Sequence, residues 1–186
     1  MSTYECREIT PRERNRATSV RRLIWQLSCA LGLLAAAPAG ATDYVSAAQL
    51  SELGARWWQW AFSFPAASNP LTDGTGERCG LGQTGKVWFL GGSFSSPDPV
   101  RRECAPVPVQ TSVLIPALNA ECSSIEGDGA TEAALRACAR GLIQGATGKA
   151  WVDGIPVPVV RGESPLFLFP LPAGDVLGRG PAVSKS

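Results

Sequence analysis

Hydrophobic positions first become periodic just past residue 45. Leu50, Leu53, Trp57, Trp60, Ala61 and Phe64 recur at helical spacing, while Glu52, Arg56, Gln59 and Ser63 form the opposite stripe. Ser46, Ala47, Ala48 and Gln49 fit a capping box, in which the Ser hydroxyl and the Gln side chain satisfy each other's backbone amides. Pro65 disfavours helical backbone in the residue before it. These features predict an amphipathic helix of about four or five turns. Its aromatic face is broad, with Trp57, Trp58 and Trp60 within four residues. Such a stripe is core, packed on a sheet. The alternative is a surface that stacks on sugars or faces a membrane, with Trp58, the least well aligned, exposed.

Downstream the pattern changes to short apolar runs between turns. Residues 65–85 are loop-rich, punctuated by Asn69, Pro70, Asp73 and Gly74. Residues 86–90 (KVWFL) read as a buried strand, and residues 100–104 as its partner after the turn Ser96, Pro97, Asp98, Pro99. A second run at 111–115 is kept short or pushed to an edge by Pro106, Pro108 and Pro116. Residues 119–130 form a polar loop, and residues 131–143 return to helical spacing through Ala134, Leu135, Cys138 and Leu142. The strongest local signal is Asp153-Gly154 between β-rich runs at 149–152 and 155–160, which predicts a two-residue type I′ hairpin. Residues 166–171 give one more strand, and residues 178–186 look frayed. No β-α-β alternation appears. The expected fold is mainly β (α+β): an antiparallel sheet or sandwich with an N-terminal amphipathic helix and one short inserted helix.

The chain ahead of the first helix changes the picture. Six arginines (Arg7 to Arg22) precede an apolar run at 23–37, and small residues such as Ala39, Gly40 and Ala41 follow. A basic region, a short apolar stretch and an A-x-A site make a secretory signal peptide, residues 1–41, cut after Ala41 with Ala39 as the alternative. An uncleaved anchor is the rival, but the run is short of the ~20 residues that span a bilayer, so no stable membrane span survives cleavage. Arg21-Arg22 lacks the surroundings of a twin-arginine signal, and Leu27-Ser28-Cys29 sits inside the apolar run rather than after it, against lipidation. The long basic region leaves room for a downstream start codon. What remains is one exported domain, residues 42–186, long enough for a real core.

Export also reinterprets the cysteines. Cys79, Cys104, Cys122 and Cys138 form an even set, which in an exported chain reads as two disulfides. Four cysteines allow three connectivities. Cys79 and Cys104 flank the first strand pair, and Cys122 and Cys138 bracket a loop and most of a short helix, which favours Cys79–Cys104 and Cys122–Cys138. Cys₄ zinc needs C-x₂-C pairs that the chain lacks.

Composition removes chemistry. The chain has 186 residues and no histidine, which excludes Ser-His-Asp and Cys-His nucleophiles and His-ligated metals. A formal net charge of +1 makes no case for nucleic acid. The leader takes 6 of the 17 basic and 3 of the 16 acidic side chains, leaving 11 against 13.

Acid–base work would then fall to a carboxylate. Glu121 follows an apolar run and abuts Cys122, so its backbone is fixed and its carboxyl is a candidate for desolvation. Asn119 would orient it, and Gln83, in the loop before the aromatic strand, is a possible partner. Two carboxylates across a cleft can hydrolyse glycosides without histidine, with Asp73, Glu77, Asp153 or Glu163 as the second. The competing reading is a loop carboxylate and a turn Asn. Glu126, Asp128 and Glu132 offer oxygens for calcium, but the spacing fails the twelve-residue loop, and acids at a helix start are favoured by its positive end. Lys86, Lys149 and Lys185 stand in no S-x-x-K motif. No cofactor is expected.

Four strings occur in order: RWWQW at 56–60, CGLGQTGKVWFL at 79–90, PALNAEC at 116–122 and VDG at 152–154. Together they resemble a family of exported bacterial proteins without an assigned biochemical function, over about residues 45–175. The family pattern reads W-W-x-W, then C-x₃-Q-x-G-x-V-W-F-L, then N-x-E-C. The resemblance implies export and supplies no mechanism. This chain departs from it at 109–114 (VQTSVL), where similar proteins carry Gly-Lys and an aromatic pair. They also continue past Leu177 into further strands, which implies a C-terminal truncation here and a final sheet with an open edge. The expected function is a non-catalytic structural or binding domain of the cell envelope or secreted space, periplasmic or extracellular. One alternative is a carbohydrate-binding or carboxylate-dependent carbohydrate-active protein. The other is an interaction domain that completes its sheet with a partner chain. The partner would be a glycan or a protein.

Overall fold

The structure is a computed structural model that describes residues 45–94 and 100–186. The signal-peptide expectation and the turn at 96–99 therefore lie outside the described residues. The predicted capping box is in place at Ser46 and Gln49, and α1 runs Ala47–Phe62. After it come β1 (Val87–Phe89), β2 (Ser112–Leu114), α2 (Glu132–Leu142), β3 (Ala150–Val152), β4 (Ile155–Val157), β5 (Leu168–Leu171) and β6 (Ala182–Lys185). Among the described residues the class is mixed α and β, with three two-stranded sheets in place of one larger sheet.

Two of the sheets are antiparallel: β3 with β4, and β5 with β6. The hairpin turn has Asp153 at φ 52° and Gly154 at φ 79°, the pair of positive values that a type I′ turn needs. The remaining sheet corrects the sequence expectation. β1 pairs with β2 in parallel, Trp88 opposite Val113, and not with residues 100–104. That segment forms no strand and carries Arg102, whose buried guanidinium donates to the carbonyls of Leu71, Asp73, Gly91 and Gly92. A residue spent on four loop carbonyls ties the turns around β1 together, while ladder pairing passes to the next apolar run.

The C-terminal segment is a second correction. Residues 178–186 are not frayed: Ala182–Lys185 is a strand, registered with Phe169 opposite Ser184. Its pattern is too short and too polar to be read as a strand by itself. The buried alternation of β5, with Phe169 and Leu171 inward, supplies the template.

The core wraps α1 on two sides. Ala55 and Phe62 pack with Phe167, Phe169 and Leu171 from β5 and its approach. Trp57, Trp60 and Ala61 pack with Leu71 and Phe89. Trp58 was the indole that the surface alternative exposed. It is instead half-buried, touches both clusters and stacks on Phe62 at 5.1 Å. Buried indoles need partners for their N–H groups. Trp57 Nε1 donates to the Leu90 carbonyl and Trp60 Nε1 to the Leu81 carbonyl, each at 2.9 Å. Gln59, on the polar stripe, reaches the Leu168 carbonyl at 2.8 Å and so covers part of the edge of β5. Both disulfides join the favoured pairs: Cys79–Cys104 with Cα atoms 5.5 Å apart, and Cys122–Cys138 at 6.0 Å.

Candidate functional site

Glu121 lies where the loop 121–130 meets β6. The loop is anchored at one end by the Cys122–Cys138 bond to α2. It is folded on itself by Ser123, whose amide donates to Asp128 Oδ2 at 2.9 Å and whose hydroxyl donates to Glu126 Oε2 at 2.8 Å. Gly127 turns the chain at φ +88°. Five contacts then join the loop to the last strand, one of them from the Lys185 amide to Ser124 Oγ at 3.5 Å. The Ser124 amide donates to the Lys185 carbonyl at 3.1 Å, and the Ile125 amide to Ser184 Oγ at 3.2 Å. The Ser124 and Ser184 hydroxyls meet at 3.2 Å, and Lys185 Nζ reaches the Ala130 carbonyl at 2.8 Å.

Within this junction two carboxyls meet. Burial pushes the Glu121 carboxyl up, and the charge of Glu126 and a hydrogen bond with it push the same way. Hydrogen bonds with Ser186 and Ser123 pull down, and the balance leaves Glu121 at about 8. Its Oε1 is out of contact with water and accepts no hydrogen bond. A carboxylate oxygen so placed would be an uncompensated buried charge, so at neutral pH the carboxyl keeps its proton.

The predicted partners of Glu121 lie elsewhere. Asn119 is exposed and makes no hydrogen bond to Glu121. Gln83 is fully employed: its Nε2 donates to the Cys79 and Phe89 carbonyls at 2.9 and 2.8 Å, and its Oε1 accepts from the Phe89 amide at 2.9 Å. The second carboxylate is Glu126, not one of the four considered from the sequence. Asp73 accepts from the amides of Thr75 and Arg78, and Glu163 pairs with Arg140 at 2.7 Å. One signal pointed to Glu126: it lies five residues past Glu121 in a segment that a disulfide closes.

The acids considered for calcium are also spoken for. Glu126 and Asp128 both face Ser123, and Glu132 pairs with Arg136 one turn on, at 2.7 Å. Asp128 does come within 4.8 Å of Cys122 and Cys138, but both sulfurs are spent in the disulfide.

A different kind of site lies on the hairpin. Its register puts Ala150, Val152, Ile155 and Val157 on one face, because flanking residues of a two-residue turn pair across and side chains alternate with period two. That face is wholly apolar and open: Val152 is 45% exposed, Ile155 66% and Val157 36%. Val159 and Val160 continue the exposed run. Among the described residues no helix is long and apolar enough to cross a membrane. No protein-family description, curated protein or solved structure matches this chain.

Proposed function

We propose that the chain is an exported, disulfide-held domain that binds another protein without catalysing a reaction, and that the β3–β4 hairpin is its contact surface. One observation carries this reading: the apolar face of Val152, Ile155 and Val157 stands in water on a sheet of only two strands. An isolated hairpin is marginal in water, and a contiguous apolar patch on a folded chain marks an interaction site. Export rests on the leader pattern, the resemblance to exported proteins and the two disulfides.

The polar groups favour the same reading. Gln83, Trp57 and Trp60 hold backbone atoms in place. Glu126 is held by the Ser123 hydroxyl at 2.8 Å and Glu121 Oε1 is closed off from water, whereas glycoside hydrolysis needs two carboxyls facing a cleft that admits the sugar. Trp58, the indole first considered for sugar stacking, has a face against Phe62.

Site-specific photo-crosslinking tests the proposal in the cell that makes the protein. A photoreactive residue at Ile155 is expected to give a discrete protein adduct. The same residue at Val109, 91% exposed and outside the hairpin strands, is expected to give none. Equal labelling at both positions, or none at Ile155, overturns it.

A further inference from the structure

We propose that the partner held by this hairpin docks an extended segment that is apolar along its length and acidic at one end, with the acid in a groove at the foot of the hairpin beside Arg161 and Arg140. The inference rests on the reading of β3–β4 as the contact surface and names what that surface selects.

The apolar face runs into the groove. A Cβ on Gly148 would lie 3.8 Å from Val159 Cγ1, so the two legs of the hairpin stay together below the paired residues Ala150 and Val157. The period-two alternation of Ile155, Val157 and Val159 ends on Arg161. Arg161 lines a groove of about 610 Å³ with Ala137 and Arg140 from α2, Gln144 and Gly145 ahead of β3, and Glu163. Extended backbone covers about 20 Å from Ile155 to Arg161, so a partner segment of about seven residues reaches both.

Charge at the foot calls for an acid. Arg136 pairs with Glu132 at 2.7 Å and reaches Glu163 at 3.6 Å, and Arg140 takes Glu163 through Nε and Nη2 at 2.7 Å each. Arg161 is exposed and adds its charge near Glu163 without an ion pair of its own. Three guanidiniums thus share two carboxylates, and the charge left over stands in a concave place. A carboxylate is the peptide group whose geometry a guanidinium fork matches.

The other end of the hairpin has the opposite sign. Its turn carries Asp153, which repels an acid at the tip and so fixes the acidic end of the segment at the foot. The same charge would enter a bilayer first, which opposes a lipid surface. Pro156 and Pro158 stand where a two-residue hairpin turns the β4 amides outward, so that edge has no N–H to offer an added strand. Side chains on the face therefore carry the recognition.

A display library of random peptides of about ten residues, selected against the protein as exported with both disulfides formed, tests this. Enriched peptides are expected to alternate apolar residues and to carry Asp or Glu at one end. Arg161 holds nothing else among the described residues, so Arg161→Gln is expected to melt like the wild type while binding a synthetic copy of the leading peptide about five-fold more weakly. Selection against Arg161→Glu is expected to replace the acid by Lys or Arg. Peptides without an acid, or an acid retained against Arg161→Glu, overturn the inference; if Ile155→Asp still abolishes their binding, the hairpin reading survives it. Binding that persists in Ile155→Asp, or no enriched peptide, overturns both. Sedimentation with vesicles of phosphatidylcholine and phosphatidylglycerol is expected to leave the protein in solution. Co-sedimentation, or a dimer that Ile155→Asp dissolves, assigns the face to lipid or to a second copy and overturns the acidic segment.

Discussion

The Trp57 indole nitrogen donates to the Leu90 carbonyl at 2.9 Å, bridging 33 residues from the middle of α1 to the chain just past β1. The same ring lies against Trp58 and Trp60, edge-on to the first at 4.9 Å and tilted to the second at 6.1 Å. One side chain therefore supplies both the apolar mass of a core cluster and the donor for a buried carbonyl. Trp57→Ala is expected to cost about 3–5 kcal/mol in urea unfolding. Trp57→Phe keeps most of the apolar mass but strands the carbonyl, for a smaller loss of about 1–3 kcal/mol. A melt unchanged by either substitution contradicts the packing described.

Asn69 is the polar counterpart. It has no exposed surface, and its amide donates to the carbonyls of Ala61 at 2.7 Å and Phe64 at 3.1 Å, which are left over where α1 ends. Its oxygen accepts from the Leu71 amide at 2.9 Å and caps the short 3-10 turn Pro70–Thr72. Helix ends leave carbonyls that need such partners. Asn69→Leu is close in volume yet leaves two carbonyls and an amide unmet, so a loss of about 2–4 kcal/mol is expected in chemical denaturation. Asn69→Leu equal in stability to the wild type would place the stabilisation in volume alone.

Two aspartates set the acid limit of the fold. Burial pushes the Asp73 carboxyl up, but the amides of Arg78, Thr75 and Gly76 and the Thr75 hydroxyl outweigh it and hold it at about 2. Asp175 is lowered in the same way: burial opposes, and the amides of Gly180, Leu177 and Arg179 prevail. A carboxyl lowered in the folded chain stabilises it above the ordinary value of 3.8, and that contribution is lost as pH falls toward 2. Thermal melts are therefore expected to drop steeply from pH 4 to pH 2. Asp73→Asn should flatten the drop while lowering stability at pH 7. An equally steep drop in that variant would assign acid sensitivity to other groups.

Local chemistry was legible where a few adjacent residues decide the outcome. The capping box at Ser46, the Asp153-Gly154 turn, the α2 segment and both cysteine pairs follow from spacing and turn preference. Pairing between distant segments was not. Residues 100–104 (VRREC) and 111–115 (TSVLI) are both short segments that follow β1, and choosing between them as its partner depends on where Arg102 finds its carbonyls. The strand at 182–185 has one strongly apolar residue, Val183, and that side chain points to water. Only its pairing with β5 makes it a strand. At the candidate site, Glu121 was legible as a desolvated acid because it adjoins a cysteine. Glu126 was hidden because its role depends on how Ser123 and Gly127 fold the loop back.

Gln83 gives the sharpest separation between a scaffold role and a chemical one. A primary amide has two donor hydrogens and one carbonyl oxygen, and here both hydrogens and the oxygen are used on the backbone of Cys79 and Phe89. The amide thus does for β1 what a neighbouring strand would do: it pairs with the Phe89 amide and carbonyl on the side away from β2. Gln83→Glu is nearly the same shape but has no donor hydrogens when ionised. It would set a carboxylate against two carbonyl oxygens, and a loss of about 2–4 kcal/mol is expected at pH 7. The loss should shrink in mild acid, where a protonated Glu recovers one donor. A side chain reserved for a ligand would behave differently, since Gln83→Glu would then fold as the wild type does and change only what the protein binds. Urea melts of the variant at pH 7 and pH 4.5 decide between the two, and stability equal to the wild type at both would release Gln83 from the scaffold.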